Sequence, residues 1–197
     1  MTSRPVAALY VERGGPYYRL LPSTQCWNEW RDARHYKGPF PVVAHPPCGP
    51  WGRLKGLCTK QNPELGRVAV SQVREFGGVL EHPRFSGLWE DQRLPRPGWF
   101  LDSCGGWTLE VNQVDYGHRA VKSTWLYIVG ISRQVFYDSD LWRNRPERGV
   151  PSHSVTYDIA SSEGKPQLLK LSSEGARRTP VPFARFLISL AQMSTRA

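Results

Sequence analysis

Two residues of this chain combine a reactive type with a suggestive place. Cys48 lies in PFPVVAHPPCGPW, residues 39–51, where an apolar run stops at a thiol held between prolines. Glu81 follows 33 residues later in GGVLEHP, at the end of another short apolar run. A cysteine becomes a nucleophile when a nearby base or positive charge favours its thiolate. A carboxyl group across the same cleft could bind or protonate a ring nitrogen. The plain alternative for Cys48 is a small buried apolar side chain beside a proline turn.

The segments around these residues tell how they would be placed. Residues 41–44, PVVA, predict a short buried strand, and Pro46-Pro47 forces the chain out of it just before the thiol. Asn62-Pro63 predicts a helix start, and Leu65, Val68, Ala69, Gln72, Val73 and Phe76 recur at helical spacing up to Gly77. Gly78-Val79-Leu80 then predicts a second strand, stopping at Glu81-His82-Pro83. Strand, helix and strand in this order form a right-handed crossover, which sets parallel strands side by side with their carboxyl ends on one edge. Cys48 and Glu81 are therefore expected to face one crevice, at the edge where open α/β sheets collect ligands.

The 197 residues suit a single α/β domain spanning residues 1–197. Earlier in the chain, VAALYV (6–11) predicts a first strand ending at a Gly14-Gly15-Pro16 turn, and residues 27–33 allow only a short helix. Later, residues 107–116 and 124–130 predict an antiparallel pair at the far side of the sheet. Residues 131–175 look like a small, irregular insertion. Thr179-Pro180 opens a last helix with Phe183, Phe186, Leu187, Leu190 and Ala191 on its apolar face.

Composition narrows the partners. Lys and Arg number 26 against 17 Asp and Glu, a net charge of +9 spread along the chain, so polyanions and nucleic acid above all are the expected partner class. No run approaches the length of a membrane span and no signal peptide is evident, so a cytoplasmic protein with no membrane contact is expected. Four cysteines, Cys26, Cys48, Cys58 and Cys104, form no C-x-x-C pair and read as reduced thiols. Oligomeric state has no signature in the sequence.

Taken in order, Pro47-Cys48 after a buried strand, Glu81 in VLEHPRFSGLW after the next, DYGHRAVKSTWLYIVG and the terminal RRTPVPFARFLISLA resemble the motifs of cytosine-5 DNA methyltransferases. The resemblance covers residues 41–130 and the last helix. It implies a Rossmann-like methyltransferase fold with a mixed, mostly parallel sheet. It also implies a flipped DNA cytosine attacked at C6 by Cys48, Glu81 at ring N3, and S-adenosylmethionine as methyl donor. Arg119 and Lys122 of HRAVKSTW stand where the family has a Q-x-R-x-R stretch, and Glu81 is followed by His82-Pro83 where the family has Asn-Val. At the front, Glu12, Gly14, Gly15 and Asp32, with Pro47, are the cofactor candidates, although some twenty residues before Asp32 are too few for a full strand-helix-strand unit; Gly14-Gly15 also reads as an ordinary turn.

Base flipping requires a grip on the nucleic acid. Trp51, Arg53 and Lys55 just after the thiol and Arg143, Arg145 and Arg148 of the insertion are the expected contacts; Trp51 could equally cover the core. Alternatives are a pyrimidine-modifying enzyme with another donor or a nucleotide substrate, and a non-catalytic nucleic-acid binder. A metal site from His45, Cys48 and His82 with Cys104 or His118 is sterically conceivable, but the spacing is not that of paired zinc ligands, and no metal is expected.

Overall fold

The computed structural model describes residues 4–52, 56, 62–154, 169–170 and 172–196. Its centre is a six-stranded sheet of mostly parallel strands, ordered β2-β1-β3-β4-β6-β5. These are β1 (Ala7–Leu9), β2 (Cys26–Trp27), β3 (Val42–Ala44), β4 (Gly78–Pro83), β5 (Trp107–Asn112) and β6 (Ser123–Val129). β1, β2, β3 and β4 run parallel, and β6 is antiparallel to both β4 and β5. The β5 and β6 runs pair antiparallel as expected; β6, the later in sequence, takes the inner position.

Two apolar layers clamp this sheet. On one face, Val43, Val79, Leu126 and Ile128 meet Phe183, Phe186, Leu187 and Leu190 of the last helix, α7 (Val181–Gln192). Tyr17 of the one-turn helix α1 (Tyr17–Leu20) belongs to the same layer. On the other face, Ala44, Leu80 and Tyr127 meet Ala69, Val70 and Val73 of α2 (Glu64–Phe76), with Leu88 and Trp89 of α3 (Leu88–Asp91). Alternate residues of each strand feed opposite layers, as a two-residue repeat requires. Gly78 is obligatory at the start of β4, because its φ is +108° and a Cβ there would lie 2.1 Å from the Val42 carbonyl oxygen.

The chain leaves β1 for β2 on one side and returns to β3 on the other, so strand order reverses at β1. Open α/β sheets bind ligands at such a switch point, beyond the strands' carboxyl ends. Tyr10, the residue after β1, holds φ at +60°, a costly backbone for a bulky side chain, with its hydroxyl donating to Gln72 Oε1 at 2.8 Å.

The front of the chain departs from its sequence reading. Where residues 27–33 allowed a short helix, Cys26 and Trp27 form β2, parallel to β1, and the only helical piece is a 3-10 turn over Ala33–His35. The segment judged too short for a strand-helix-strand unit makes one by shrinking its helix to a single turn. Within the expected insertion, α4 (Arg133–Tyr137) buries Phe136 against Trp107, α5 (Asp140–Arg143) follows, and β7 (His153–Ser154) pairs with β8 (Leu169–Lys170) before α6 (Ser173–Arg177). No helix among the described residues is long and apolar enough to cross a membrane.

Candidate active site

Register decides which side chains meet at the sheet's carboxyl edge. Ala44 of β3 pairs with Leu80 of β4, so the next residues, His45 and Glu81, stand opposite each other and project to the α7 face. His45 Nδ1 lies 2.9 Å from Glu81 Oε2. Beyond the imidazole, His45 Nε2 lies 2.6 Å from the Tyr17 hydroxyl. Gln113, in the 3-10 turn after β5, donates from Nε2 to Glu81 Oε1 at 2.9 Å and to Thr124 Oγ1 at 3.0 Å. A polar chain, Tyr17, His45, Glu81, Gln113 and Thr124, thus runs beneath the crevice.

Burial makes this chain consequential. Gln113 is fully buried, and the Glu81 side chain keeps 11% of its surface exposed. Burial alone would raise the Glu81 pKa. The hydrogen bond from His45 first and the positive charge of Lys122 second outweigh it and bring the pKa down to about 2. Glu81 is a carboxylate, and both its oxygens already receive N–H hydrogens. Of the two roles open to a carboxyl group here, binding or protonating a ring nitrogen, this resting arrangement suits the binding one.

Cys48 is exposed, which removes the reading of it as a small core residue. It sits at the entry of a 3-10 turn, Gly49–Trp51, with Pro46-Pro47 behind it. Crowding by protein atoms pushes its thiol pKa up, Glu81's negative charge adds to this, and Lys122 and Arg177 pull it back down. The thiol and the carboxylate therefore lie close enough to feel each other's charge. The sulfur is not pre-ionised, contrary to the lowered pKa that a free-standing nucleophile would need. Neither His45 nitrogen is left over to act as a base for Cys48.

Of the two expected cations, Lys122 acts on both Cys48 and Glu81. Arg119 is exposed, and its backbone carbonyl accepts from Ser152 and His153. Arg177 of α6 is a third cation that sequence reasoning missed. His82, on the α2 face of β4, is fully buried; the Pro47 carbonyl tugs at its proton, yet neither ring nitrogen reaches hydrogen-bond geometry with a described residue. No group of three metal-ligating side chains occurs among the described residues, and His45 spends both nitrogens on Tyr17 and Glu81.

The remaining candidates divide. Gly14 adopts φ +72° with open space where a side chain would be, and Gly15 donates its N–H to the Glu12 carbonyl at 3.0 Å, closing the turn after β1. Asp32 is held by Arg34 at 2.6 Å and caps its own 3-10 turn, and this bonding lowers its pKa to about 2. Glu29, two residues past β2, is exposed and has no hydrogen bond or ion pair among the described residues. Trp51 lies over α2, its indole where a Cβ on Gly66 would stand, so it covers the core on the face away from Glu81. Arg143, Arg145 and Arg148 are exposed, and Arg145 stacks on Trp142 at 3.9 Å. Arg53 and Lys55, like Cys58, lie outside the described residues.

Two clefts, of about 300 Å³ beside Asn112, Tyr116 and Trp142 and about 500 Å³ beside Trp99, Trp107 and Arg133, include neither Cys48 nor Glu81. In comparisons with known proteins, no family model and no curated sequence matches the chain.

Proposed function

We propose that this protein modifies carbon 5 of a pyrimidine in DNA, in the manner of the cytosine-5 DNA methyltransferases it resembles, on a Rossmann-like methyltransferase fold. One observation carries the reading: an exposed Cys48 after β3 and a carboxylate, Glu81, in the last part of the neighbouring parallel β4 stand at one sheet edge and act on each other electrostatically. In this reading Cys48 adds to C6, Glu81 anchors the ring at N3, and Lys122 offsets the charge that develops. His45 and Gln113 hold the Glu81 carboxylate in place. The exposed Arg143, Arg145 and Arg148, together with Arg53 and Lys55, would grip phosphates while the base is turned out of its stack.

S-adenosylmethionine, when bound, supplies the methyl group. The chain's own residues fit it at the β1 switch point. Gly14 leaves open space in the turn there, which Gly15 closes onto the Glu12 carbonyl, and Pro47 lies in the loop after β3. Glu29, past the end of β2, is the acid that fits a ribose hydroxyl pair, in place of Asp32, which is committed to Arg34.

The test is transfer of label from S-adenosylmethionine to pyrimidines of duplex DNA, with Cys48→Ser as control. Transfer that Cys48→Ser abolishes supports the reading. DNA binding with neither transfer nor a covalent adduct would replace it with a non-catalytic binder, and an adduct without transfer would indicate another donor.

A further inference from the structure

This inference rests on the reading just given, and concerns which pyrimidine the site accepts. Glu81 meets any ring as an acceptor only. Its Oε1 takes a hydrogen from Gln113, whose other amide hydrogen goes to Thr124, and its Oε2 faces His45 Nδ1. Oε2 already takes the His45 Nδ1 hydrogen, so a second hydrogen placed on that side would meet an N–H and not a lone pair. On the far side of the ring, Tyr17 keeps its phenolic hydrogen, because burial first and Glu81's charge second hold its pKa well above the usual value. That hydrogen suits Nε2 and leaves the Nδ1 hydrogen for Glu81. The other charged or titratable groups acting around the carboxylate are Lys122 just before β6, His82 of β4 and Cys48 after β3, and the positive charge of Lys122 favours the ionised form.

An acceptor-only anchor is matched by a ring that brings its own hydrogen to position 3. Uracil presents N3–H, whereas cytosine presents a lone pair. We propose that the base acted on is a 4-oxo pyrimidine of the uracil type, its N3–H donated to Glu81, rather than cytosine.

The electron count closes without a further reagent. The Cys48 thiol gives its proton to solvent, and the thiolate then gives a pair to C6 and forms the S–C6 bond. The C5=C6 pair moves to C4–C5, and the C4=O4 pair moves onto O4 as an enolate. Lys122 is the cation at hand for that oxygen. C5 takes a proton from solvent; loss of its other hydrogen as a proton then re-forms C5=C6 and expels the thiolate. With cytosine the same attack places the charge on N3, against the carboxylate, unless a proton is first taken from solution.

Addition without a methyl donor therefore exchanges the C5 hydrogen with solvent. The experiment compares exchange in heavy water, read by mass spectrometry, for two oligonucleotides that differ only in one deoxyuridine or one deoxycytidine. At pH 8 the deoxyuridine should exchange at least about tenfold faster, the worth of one hydrogen bond to a charged group. Exchange on deoxycytidine at an equal or greater rate overturns the ring assignment while leaving Cys48 addition intact. Exchange on neither overturns both. Glu81→Gln, checked for folding by thermal melt, offers an amide hydrogen and should move the ratio about tenfold toward deoxycytidine. A folded Glu81→Gln protein with an unchanged ratio also overturns the assignment.

Discussion

His82 provides a test of the buried layer under the site that needs no substrate. Its ring is fully buried. Burial is the largest influence on it and lowers its pKa from 6.5 to about 4, against the upward pull of Glu81 and the Pro47 carbonyl. The unfolded chain takes up this proton near pH 6.5, whereas the folded protein resists it until about pH 4. The stability gained by keeping the ring neutral is therefore complete above pH 6.5 and lost as pH falls toward 4. At about 1.4 kcal/mol per pKa unit, the loss over that window is about 3 kcal/mol. Replacing His82 by Leu removes both the titration and two ring nitrogens without partners among the described residues. Urea unfolding of wild type and His82→Leu, at pH 7.5 and pH 4.5, should show the variant at least as stable at pH 7.5. It should also lose about 2 to 3 kcal/mol less on acidification. Equal losses in the two proteins would refute the assignment of a neutral, sealed His82.

Three further outcomes follow from the site. Gln113→Leu removes a donor to a buried carboxylate and should cost about 2 kcal/mol, a fall in Tm of about 4–8 °C; an unchanged melt would mean Gln113 does not hold Glu81. Because the Cys48 thiol is pushed up by its surroundings and Glu81, its alkylation should stay slow at pH 7 and accelerate above pH 9. Lys122→Ala should slow it further, and rapid alkylation at pH 6 would contradict the electrostatics. Changing Arg143, Arg145 and Arg148 together to Ala should weaken DNA binding and flatten its salt dependence by up to about three phosphate contacts; an unaltered salt slope would remove them from the interface.

Much of this site could be read from the chain because crossover geometry is simple. Two short apolar runs flanking one helix fix a parallel pair, and the residues after them, Cys48 and Glu81, must share an edge. His45 was within reach of the same reasoning: once Ala44 is aligned with Leu80, His45 must face Glu81. Gln113 and Tyr17 were not, since their roles depend on how the turn after β5 and a one-turn helix fold back over the edge. β2 escaped because two residues carry no periodicity and the aromatic, charged run 27–33 imitates a short helix. Trp51 could be placed beside Cys48 in sequence, but its face was decided by the gap that Gly66 leaves in α2. Arg177 escaped because it lies 129 residues from Cys48 and reaches it only through the fold.

The most direct measurement is the site of covalent attachment. Protein incubated with S-adenosylmethionine and DNA carrying a 5-fluoropyrimidine cannot lose the C5 substituent as a proton, so the attacking sulfur should stay bonded to C6. Digestion and mass spectrometry should place that adduct on Cys48 and show none in Cys48→Ser. An adduct on Cys26 or Cys104, or none on wild type under conditions where the DNA binds, would contradict the account.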